Sequence, residues 1–289
     1  MKFGAALIGI SPRHYAEIAQ IAESAGFESA WIPEHLVFPS EMPPQYPYSD
    51  NDLPPVPSET PLYDPWAVLG YLACATDKLR LATNIFIAPL RHPLMIARSL
   101  ATVDRLSGGR VTLGAGVGWL DVEFDAVGIP FRERGARMDE IVPLLRRLWS
   151  EPDIEHHGRF YDFGSVKFEP KPIQTKTGGL PIELGGASKA ALKRAGRLGD
   201  GWIEIGAKTE EDLIEKLAIV NQARVEAGRE NNRFEVTSGT WLFNDPSSVK
   251  RGTELGVTRI IANPPMTGAP VTPDTFEAWA KQFSGEMFV

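Results

Sequence analysis

The sequence predicts a (β/α)8 barrel, that is, a TIM barrel, with two insertions. Eight apolar segments of strand length alternate with eight helical segments along 289 residues, a length typical of one such barrel. Four helices are predicted to begin with a capping residue and a proline, at Ser11-Pro12, Asp64-Pro65, Asp245-Pro246 and Thr272-Pro273. The alternative is a doubly wound sheet, which usually has fewer units and divides a chain of this length into two domains. We therefore expect residues 1–289 to form a single barrel domain.

The first half of the chain contains four predicted strands. They are rich in β-branched and apolar residues, which suits strands buried on both faces of a parallel sheet. They cover residues 3–9, 29–32, 79–88 and 110–115. Between the last two strands, Pro93 fits the first position of a helix, and Gly108-Gly109 can supply its left-handed exit. This β-α-β unit places the carboxyl ends of both strands on one side, where α/β folds bind ligands.

The second half alternates in the same way. Its predicted strands cover residues 180–184, 201–205, 234–242 and 257–262. Its predicted helices cover residues 188–198, 209–227 and 245–255, and a last helix begins at Thr272. The helix that comes before this second half has a buried stripe over residues 138–149. Pro143 lies within the stripe, which predicts a kink or a later helix start there.

Two segments interrupt the alternation, and we interpret them as insertions after strand 2 and before strand 5. Residues 36–63 contain eight prolines and three tyrosines but no lysine or arginine. A loop of this length is usually a functional lid or a disordered segment. We favour a lid, because proline lowers the entropy lost on ordering and tyrosine provides surface to bury. Residues 151–179 include the run HHGRFYDF, which predicts a small hairpin.

The composition excludes several classes of function. Hydrophobic residues make up 43% and charged residues 23%, as in an ordinary globular protein without a membrane span. The net charge is −7 and no basic cluster is present, which argues against a nucleic acid partner. The five histidines and one cysteine form no metal-binding motif, and Cys74 is expected to be buried on a helix. The N-terminus lacks a signal-peptide pattern, so we expect a cytoplasmic protein.

Three segments at predicted strand ends could carry chemistry. Glu34-His35 closes strand 2 below the lid, where an imidazole could act as an acid/base group, although a loop or helix-cap histidine is the alternative. In GAGVG at 114–118 the third glycine comes one residue too soon for a dinucleotide fingerprint, and we interpret the segment as bare backbone for a flat ligand. Residues 185–188 end a strand and begin a helix. They predict either a phosphate cradle or a tight turn capped by Ser188.

Several motifs are specific when they occur together. They are WIPEHLVFP at 31–39, TNIFIAPLRHP at 83–93, LATVDRLSGGRVTLGAGVGW at 100–119, FRERGARMDEIVPLLRRLW at 131–149, and the stretch from GRFYDF to LGGAS. With these motifs, nearly the whole chain resembles the bacterial luciferase-like flavin and deazaflavin oxidoreductases. Within that superfamily it is most similar to the F420-dependent oxidoreductases.

The resemblance implies a TIM barrel that holds an isoalloxazine-type ring at the carboxyl face. The catalytic residues would be His35, facing the ring, and Glu34 beside it. Asn84 and Ile85 would form a bulge, often with a non-proline cis peptide bond, that supports the ring from behind. Contacts to the ring or ribityl chain would come from Gly116, Val117 and Gly118, and contacts to the phosphate from Gly185, Gly186, Ala187 and Ser188.

The resemblance also guides the choice of cofactor, for which we predict F420 with FMN as the alternative. FMN users of the family often have an arginine, which meets the phosphate, at the position of Val117. The sugar-phosphate dehydrogenases of the family carry an acidic residue in place of Trp119 and a tryptophan in place of Pro39, so their chemistry is not implied. The predicted function is hydride transfer between F420 and a small organic substrate. The alternatives are an FMN-dependent monooxygenase and a non-catalytic flavin- or deazaflavin-binding protein.

Expectations about partners follow from the lid and from the resemblance. The lid is acidic and aromatic, which indicates a neutral or apolar small-molecule substrate. We expect no nucleic acid partner and no membrane partner. We also expect a homodimer, because members of the family often form dimers.

Overall fold

A closed barrel of parallel strands organises the chain. The computed structural model describes residues 1–49, 51–54, 56–239, 242–243, 245–264 and 270–283. Within these residues, eight parallel strands form the ring, which confirms the predicted TIM barrel. The ring strands are β1 (Lys2–Ala6), β2 (Ser29–Ile32), β3 (Arg80–Thr83) with its continuation β4 (Phe86–Ile87), and β5 (Val111–Gly116). After a hairpin of β6 (Ile154–His157) and β7 (Asp162–Val166) come β8 (Ile182–Gly185), β9 (Gly201–Glu204), β10 (Glu235–Ser238) and β11 (Arg259–Ala262).

Strand neighbours in the ring follow the order of the chain. The ring closes between β1 and β11, where Phe3 lies opposite Ile260. On the far side, β3 pairs with β5 and Leu81 lies opposite Val111. Because every ring strand points the same way, all the strands end at one mouth of the barrel.

The helices cover the outside of the barrel. They are α1 (Tyr15–Ser24), α2 (Pro65–Ala75), α3 (Pro93–Leu106), α4 (Asp121–Ala126), α5 (Arg134–Ser150), α6 (Lys189–Leu198), α7 (Glu210–Glu226), α8 (Pro246–Glu254) and α9 (Pro273–Ala280). The predicted caps Asp64, Asp245 and Thr272 each accept a backbone N–H of their helix through the side chain. Ser11 makes no such bond, and a 3-10 turn over Pro12–His14 precedes α1 instead.

The core has an inner and an outer layer because side chains alternate along each strand. Ala6, Trp31, Ala82, Ile203 and Ile261 form the small inner cluster. The larger outer cluster fills the space between the strands and the helices. The barrel interior is therefore packed, and the space for a ligand lies at its mouth.

Both insertions lie where they were predicted. The described residues of the 36–63 segment form no helix or strand between β2 and α2. In the second insertion, β6 pairs antiparallel with β7, with His156 opposite Phe163, which confirms the hairpin. The two insertions extend the barrel without interrupting its ring.

The structure corrects some details of the prediction. The strand predicted over 79–88 is divided into β3 and β4 by a cis peptide bond between Asn84 and Ile85. Helix α5 continues through Pro143, so a later helix start is wrong, because the buried helix face packs on both sides of the proline. Cys74 is exposed, because it projects about 100° around α2 from the buried Ala73. Residues 240 and 241 of the predicted strand 234–242 lie outside the described residues.

Candidate functional site

All eleven predicted site residues line one cavity of about 790 Å³ at the mouth of the barrel. This volume is in the usual range for small-ligand pockets. Glu34 and His35 follow β2, Asn84 and Ile85 lie between β3 and β4, Gly116, Val117 and Gly118 lie at the end of β5, and Gly185, Gly186, Ala187 and Ser188 lie at the end of β8 and the turn after it. Residues of the 36–63 insertion form part of the wall, so this segment covers the site as expected of a lid.

His35 is held in place by a buried carboxylate. Its Nδ1 lies 3.0 Å from Oε2 of Glu123, a residue of α4 that is fully buried. The other oxygen of Glu123 accepts the backbone N–H of Leu36 at 2.6 Å. Nε2 of His35 has no hydrogen-bond partner among the described residues. With Nδ1–H donated to the carboxylate, Nε2 is the ring atom available to a ligand.

Glu34 lies next to His35 but is occupied on both oxygens. Oε2 accepts the N–H of Ile87 at 2.7 Å, and Oε1 forms an ion pair with Arg91. Burial raises the pKa of Glu34 to about 7, although Arg91 acts in the opposite direction. These contacts connect the end of β2 to the end of β4. They favour a positioning role for Glu34, which we predicted to be catalytic together with His35.

The cis bond at Asn84-Ile85 confirms the predicted bulge, and Ile85 explains two of the glycines. A Cβ on Gly185 would lie 2.6 Å from Cδ1 of Ile85, and one on Gly116 would lie 3.0 Å from the same atom. These glycines therefore make room for Ile85 in the wall of the cavity. Oδ1 of Asn84 is buried, and no described residue donates a hydrogen bond to it. It is a candidate acceptor for a ligand N–H.

The turn after β8 provides the polar end of the cavity. The side chain of Ser188 accepts the N–H of Ala191 at 3.2 Å and caps α6, as the tight-turn interpretation predicts. Gly186 has a φ of +127°, and its carbonyl accepts the indole N–H of Trp202 at 3.0 Å. The first N–H groups of α6 and the helix dipole favour an anion at this position.

Arg134 also lines the cavity, and our interpretation of the sequence did not include it. Its Nε donates to the carbonyl of Gly118 at 3.2 Å, and its Nη1 donates to that of Phe131 at 3.0 Å. The guanidinium lies 3.8 Å from the centre of the Phe131 ring. Nη2 has no hydrogen-bond partner in the described part of the chain. Arg134 thus places a positive charge in the wall of the cavity that the turn at 185–188 also lines.

Aromatic rings form the part of the cavity wall around His35. The ring centre of His35 lies 4.7 Å from that of Phe38 and 5.7 Å from that of Trp119. Tyr46 of the lid meets Trp119 edge to face at 5.1 Å and Tyr48 at 5.4 Å. Burial raises the pKa of Tyr46, and that of Tyr48 to about 12, so both phenols are neutral. Apart from His35, this part of the wall is apolar and carries no charge.

Helix α4 connects the lid to His35. Nε2 of Gln45 donates to Asp121 at 3.0 Å, and Glu123 binds both His35 and Leu36. Sequence reasoning missed Glu123 because its partners lie far away along the chain. The weak signal was an acidic residue between apolar neighbours in the segment WLDVEF, where a buried carboxylate requires a partner.

The described residues contain no group of three or more His, Cys, Asp or Glu side chains that could hold a metal ion. None of the helices formed by the described residues is both long and apolar enough to span a membrane.

The family model described as luciferase-like monooxygenase matches residues 3–251. An F420-dependent glucose-6-phosphate dehydrogenase of Amycolatopsis mediterranei is 30% identical over 212 residues, which are 71% of this chain and 57% of that protein. An FMNH2-dependent dimethylsulfone monooxygenase of Pseudomonas putida is 31% identical over 220 residues, or 73% of this chain and 55% of that protein. Each relative named here is an oxidoreductase.

Among solved structures, the coenzyme F420-dependent tetrahydromethanopterin reductase of Methanopyrus kandleri superposes with a TM-score of 0.74. The sequences are 20% identical, and the match covers 97% of both chains. At this level of identity the likeness concerns the fold. It confirms that the two chains share the barrel fold.

Proposed function

The chain belongs to the luciferase-like monooxygenase family and is an oxidoreductase, and we propose that it transfers a hydride between the deazaflavin F420 and a small organic substrate. The observation that carries this proposal is the His35–Glu123 pair. Hydride transfer to a carbonyl carbon requires a proton for the oxygen, and the doubly protonated form of His35, with Nδ1–H held by Glu123, can supply it from Nε2 at the cavity. The reverse reaction would use the same atom as a base.

The residues around the cavity fit a flavin or deazaflavin. Oδ1 of Asn84 is a buried acceptor without a partner among the described residues, and a ring N–H could satisfy it. Ile85 would support the ring from behind. The turn at 185–188 and Arg134 would hold the phosphate.

When bound, F420 would supply or accept the hydride at its ring. In the reducing direction, the substrate carbon would gain the hydride, the carbonyl π bond would break, and the doubly protonated imidazolium of His35 would give its Nε2 proton to the oxygen to form an alcohol. His35 would be left as the neutral Nδ1–H tautomer that Glu123 holds. Glu123 keeps the imidazole oriented during this proton transfer. Glu34 fixes the end of β2 from which His35 projects.

An FMN-dependent monooxygenase is the second candidate, and Arg134 is the observation that favours it. Val117 stands where FMN users of the family often have an arginine that binds the phosphate. Arg134, whose Nη2 has no hydrogen-bond partner in the described part of the chain, offers a cation that lines the same cavity. A non-catalytic carrier of either cofactor is the third candidate. The proposed hydride transfer requires an acid/base group, which a carrier would not need.

Titration of the purified protein with F420 and, separately, with FMN tests the proposal by fluorescence quenching. We expect tight F420 binding and weak FMN binding. The reverse order of affinities would favour the monooxygenase and would be followed by measuring oxygen consumption. Binding without substrate-dependent oxidation of reduced F420 across a broad panel of carbonyl compounds would favour the carrier.

A further inference from the structure

The aromatic part of the cavity identifies the kind of molecule that would bind there. We define the aromatic subsite as His35, Phe38, Tyr46 and Trp119, which all line the cavity. Their rings contact one another in series, from Phe38 to His35, from His35 to Trp119, and from Trp119 to Tyr46. We propose that this subsite binds a neutral ring compound, aromatic or alicyclic, that bears one carbonyl or hydroxyl oxygen directed at Nε2 of His35.

The shape of the subsite favours a ring. Flat side chains present broad apolar faces, and such faces pack best against another flat or ring-shaped body. The contacts between His35, Tyr46 and Trp119 are close to perpendicular, with interplanar angles of 77° and 78°. The ring planes therefore form the sides of a corner. A flexible chain would lose more rotational freedom than a ring on entering such a corner.

The charges around the subsite favour a neutral molecule. Glu34 is paired with Arg91 and accepts the N–H of Ile87, and Glu123 is fully buried and bound to His35 and Leu36. Neither carboxylate has an oxygen left for a cationic substrate. A cationic substrate placed among these rings would lose hydration without gaining a partner.

Arg134 is the Lys or Arg side chain that lines the cavity among the described residues. It is bound to the carbonyl of Gly118 and stacks on Phe131, and it lines the same cavity as the turn at 185–188 that we assign to a phosphate. An anionic substrate would therefore compete with the cofactor for Arg134. A neutral substrate leaves the two ends of the cavity independent.

The position of the reacting oxygen follows from His35. Its Nδ1 is occupied by Glu123, so Nε2 is the ring nitrogen that can meet a substrate oxygen. In the doubly protonated ring Nε2–H donates to a carbonyl oxygen, and in the neutral Nδ1–H tautomer Nε2 accepts from a hydroxyl group. This last part of the inference rests on the proposed function, because only turnover requires the oxygen there. The binding of a neutral ring compound does not depend on the proposed function.

Acetophenone, benzoate and 2-octanone separate the contributions of ring and charge. Acetophenone and benzoate have the same ring but differ in charge, whereas acetophenone and 2-octanone are methyl ketones of equal carbon count that differ in the ring. Dissociation constants are measured by ligand-observed NMR on the full chain, with and without saturating F420. We expect acetophenone to bind about tenfold more tightly than either other probe, a difference of about 1.4 kcal/mol. Equal or tighter binding of benzoate or 2-octanone would overturn the proposal.

Substitutions of cavity residues test whether acetophenone binds in the aromatic subsite. Trp119→Leu and Phe38→Leu remove one ring each and are expected to weaken acetophenone binding about twofold to tenfold. Tyr71→Leu is the matched control, because Tyr71 is exposed on α2 and lies outside the cavity, and it should leave binding unchanged. Circular dichroism and the melting temperature verify that each variant is folded. Unchanged binding in both folded cavity variants contradicts the assignment.

The two proposals fail in different ways. If acetophenone binds in a Trp119-dependent manner but F420 does not bind, the proposed function is wrong and the aromatic subsite stands. If F420 binds and reduced F420 is oxidised by open-chain or charged substrates while acetophenone does not bind, the proposed function stands and the aromatic subsite is wrong.

Discussion

Glu123 and His35 are 88 residues apart in the sequence, yet Oε2 of Glu123 lies 3.0 Å from Nδ1 of His35. The carboxylate comes from α4 and the imidazole from the end of β2. Because Glu123 has no exposed surface, it cannot satisfy its oxygens with bulk water. The pair therefore fixes the imidazole orientation, and most of the following predictions depend on it or on its neighbours.

His35→Ala should bind the cofactor but turn over slowly. Loss of a general acid/base group typically lowers the rate by a factor of about 100 to 10,000. The measurement is steady-state turnover together with cofactor titration. His157→Ala is the control, because His157 lies on the exposed hairpin away from the cavity. Equal turnover of the His35→Ala and wild-type proteins would remove His35 from the mechanism.

Glu123→Gln should change the tautomer of His35. The carboxylate accepts Nδ1–H, whereas an amide can present its own N–H to Nδ1 and favour the other tautomer. We expect kcat to fall by at least about tenfold, with a smaller change in KM. The tautomer is read from the imidazole 15N chemical shifts of His35 at a pH where the ring is neutral. A slower variant with an unchanged tautomer would show that Glu123 acts only on the fold.

Glu123→Ala separates this effect from stability. It leaves Nδ1 of His35 and the N–H of Leu36 without their acceptor, and we expect the free energy of unfolding to fall by about 1 to 3 kcal/mol. Chemical denaturation measures the loss. Glu123→Gln retains an oxygen for Leu36 and should lose less.

Glu34 should make the protein less stable as the pH rises. Its pKa is about 7 in the folded protein and about 4.5 in the unfolded chain, so the folded state binds the proton more tightly between these values. The contribution of Glu34 to the free energy of unfolding is therefore fully present below pH 4.5 and is lost as the pH rises through 7. The contribution is up to about 3 kcal/mol.

Urea denaturation at pH 5 and at pH 8 tests the contribution of Glu34, with wild type compared with Glu34→Gln. The variant keeps an acceptor for Ile87 but cannot titrate, so its stability should decrease less between the two pH values. The same decrease in both proteins would assign the pH dependence to other groups.

Gly158→Ala should loosen the hairpin from α5. A Cβ on Gly158 would overlap Oε1 of Glu140, which pairs with His156 and accepts the N–H of Tyr161 at 3.0 Å. We expect a loss of about 1 to 3 kcal/mol in thermal or chemical unfolding. Gly164→Ala is the matched control on the same hairpin, because no atom lies within 4 Å of its added Cβ. Equal stability of the two variants would contradict the role assigned to Glu140.

The sequence predicted the features that depend on neighbouring residues. Helix starts at Asp64, Asp245 and Thr272 follow from local capping chemistry, and the alternation of strands and helices determines the barrel. Family motifs indicated the cis bond at Asn84-Ile85. The roles given to the predicted site residues stay predictions, although the structure gathers all of them around one cavity.

Features that depend on distant residues could not be predicted in this way. Glu123 and Arg134 acquire their positions from α4 and α5, which only the folded barrel brings to the cavity. The Ile85 side chain explains Gly116 and Gly185 more directly than a flat ligand does, but this packing involves three separate strands. Cys74 was predicted to be buried but is exposed, because adjacent residues of α2 point about 100° apart and only Ala73 of the two faces the core.

Helix α4 is only six residues long, yet it contacts both the lid, through Asp121 and Gln45, and the acid/base residue, through Glu123 and His35. A shift of α4 that follows the lid would carry Glu123 with it, so the cover of the cavity and the orientation of the imidazole depend on the same short helix.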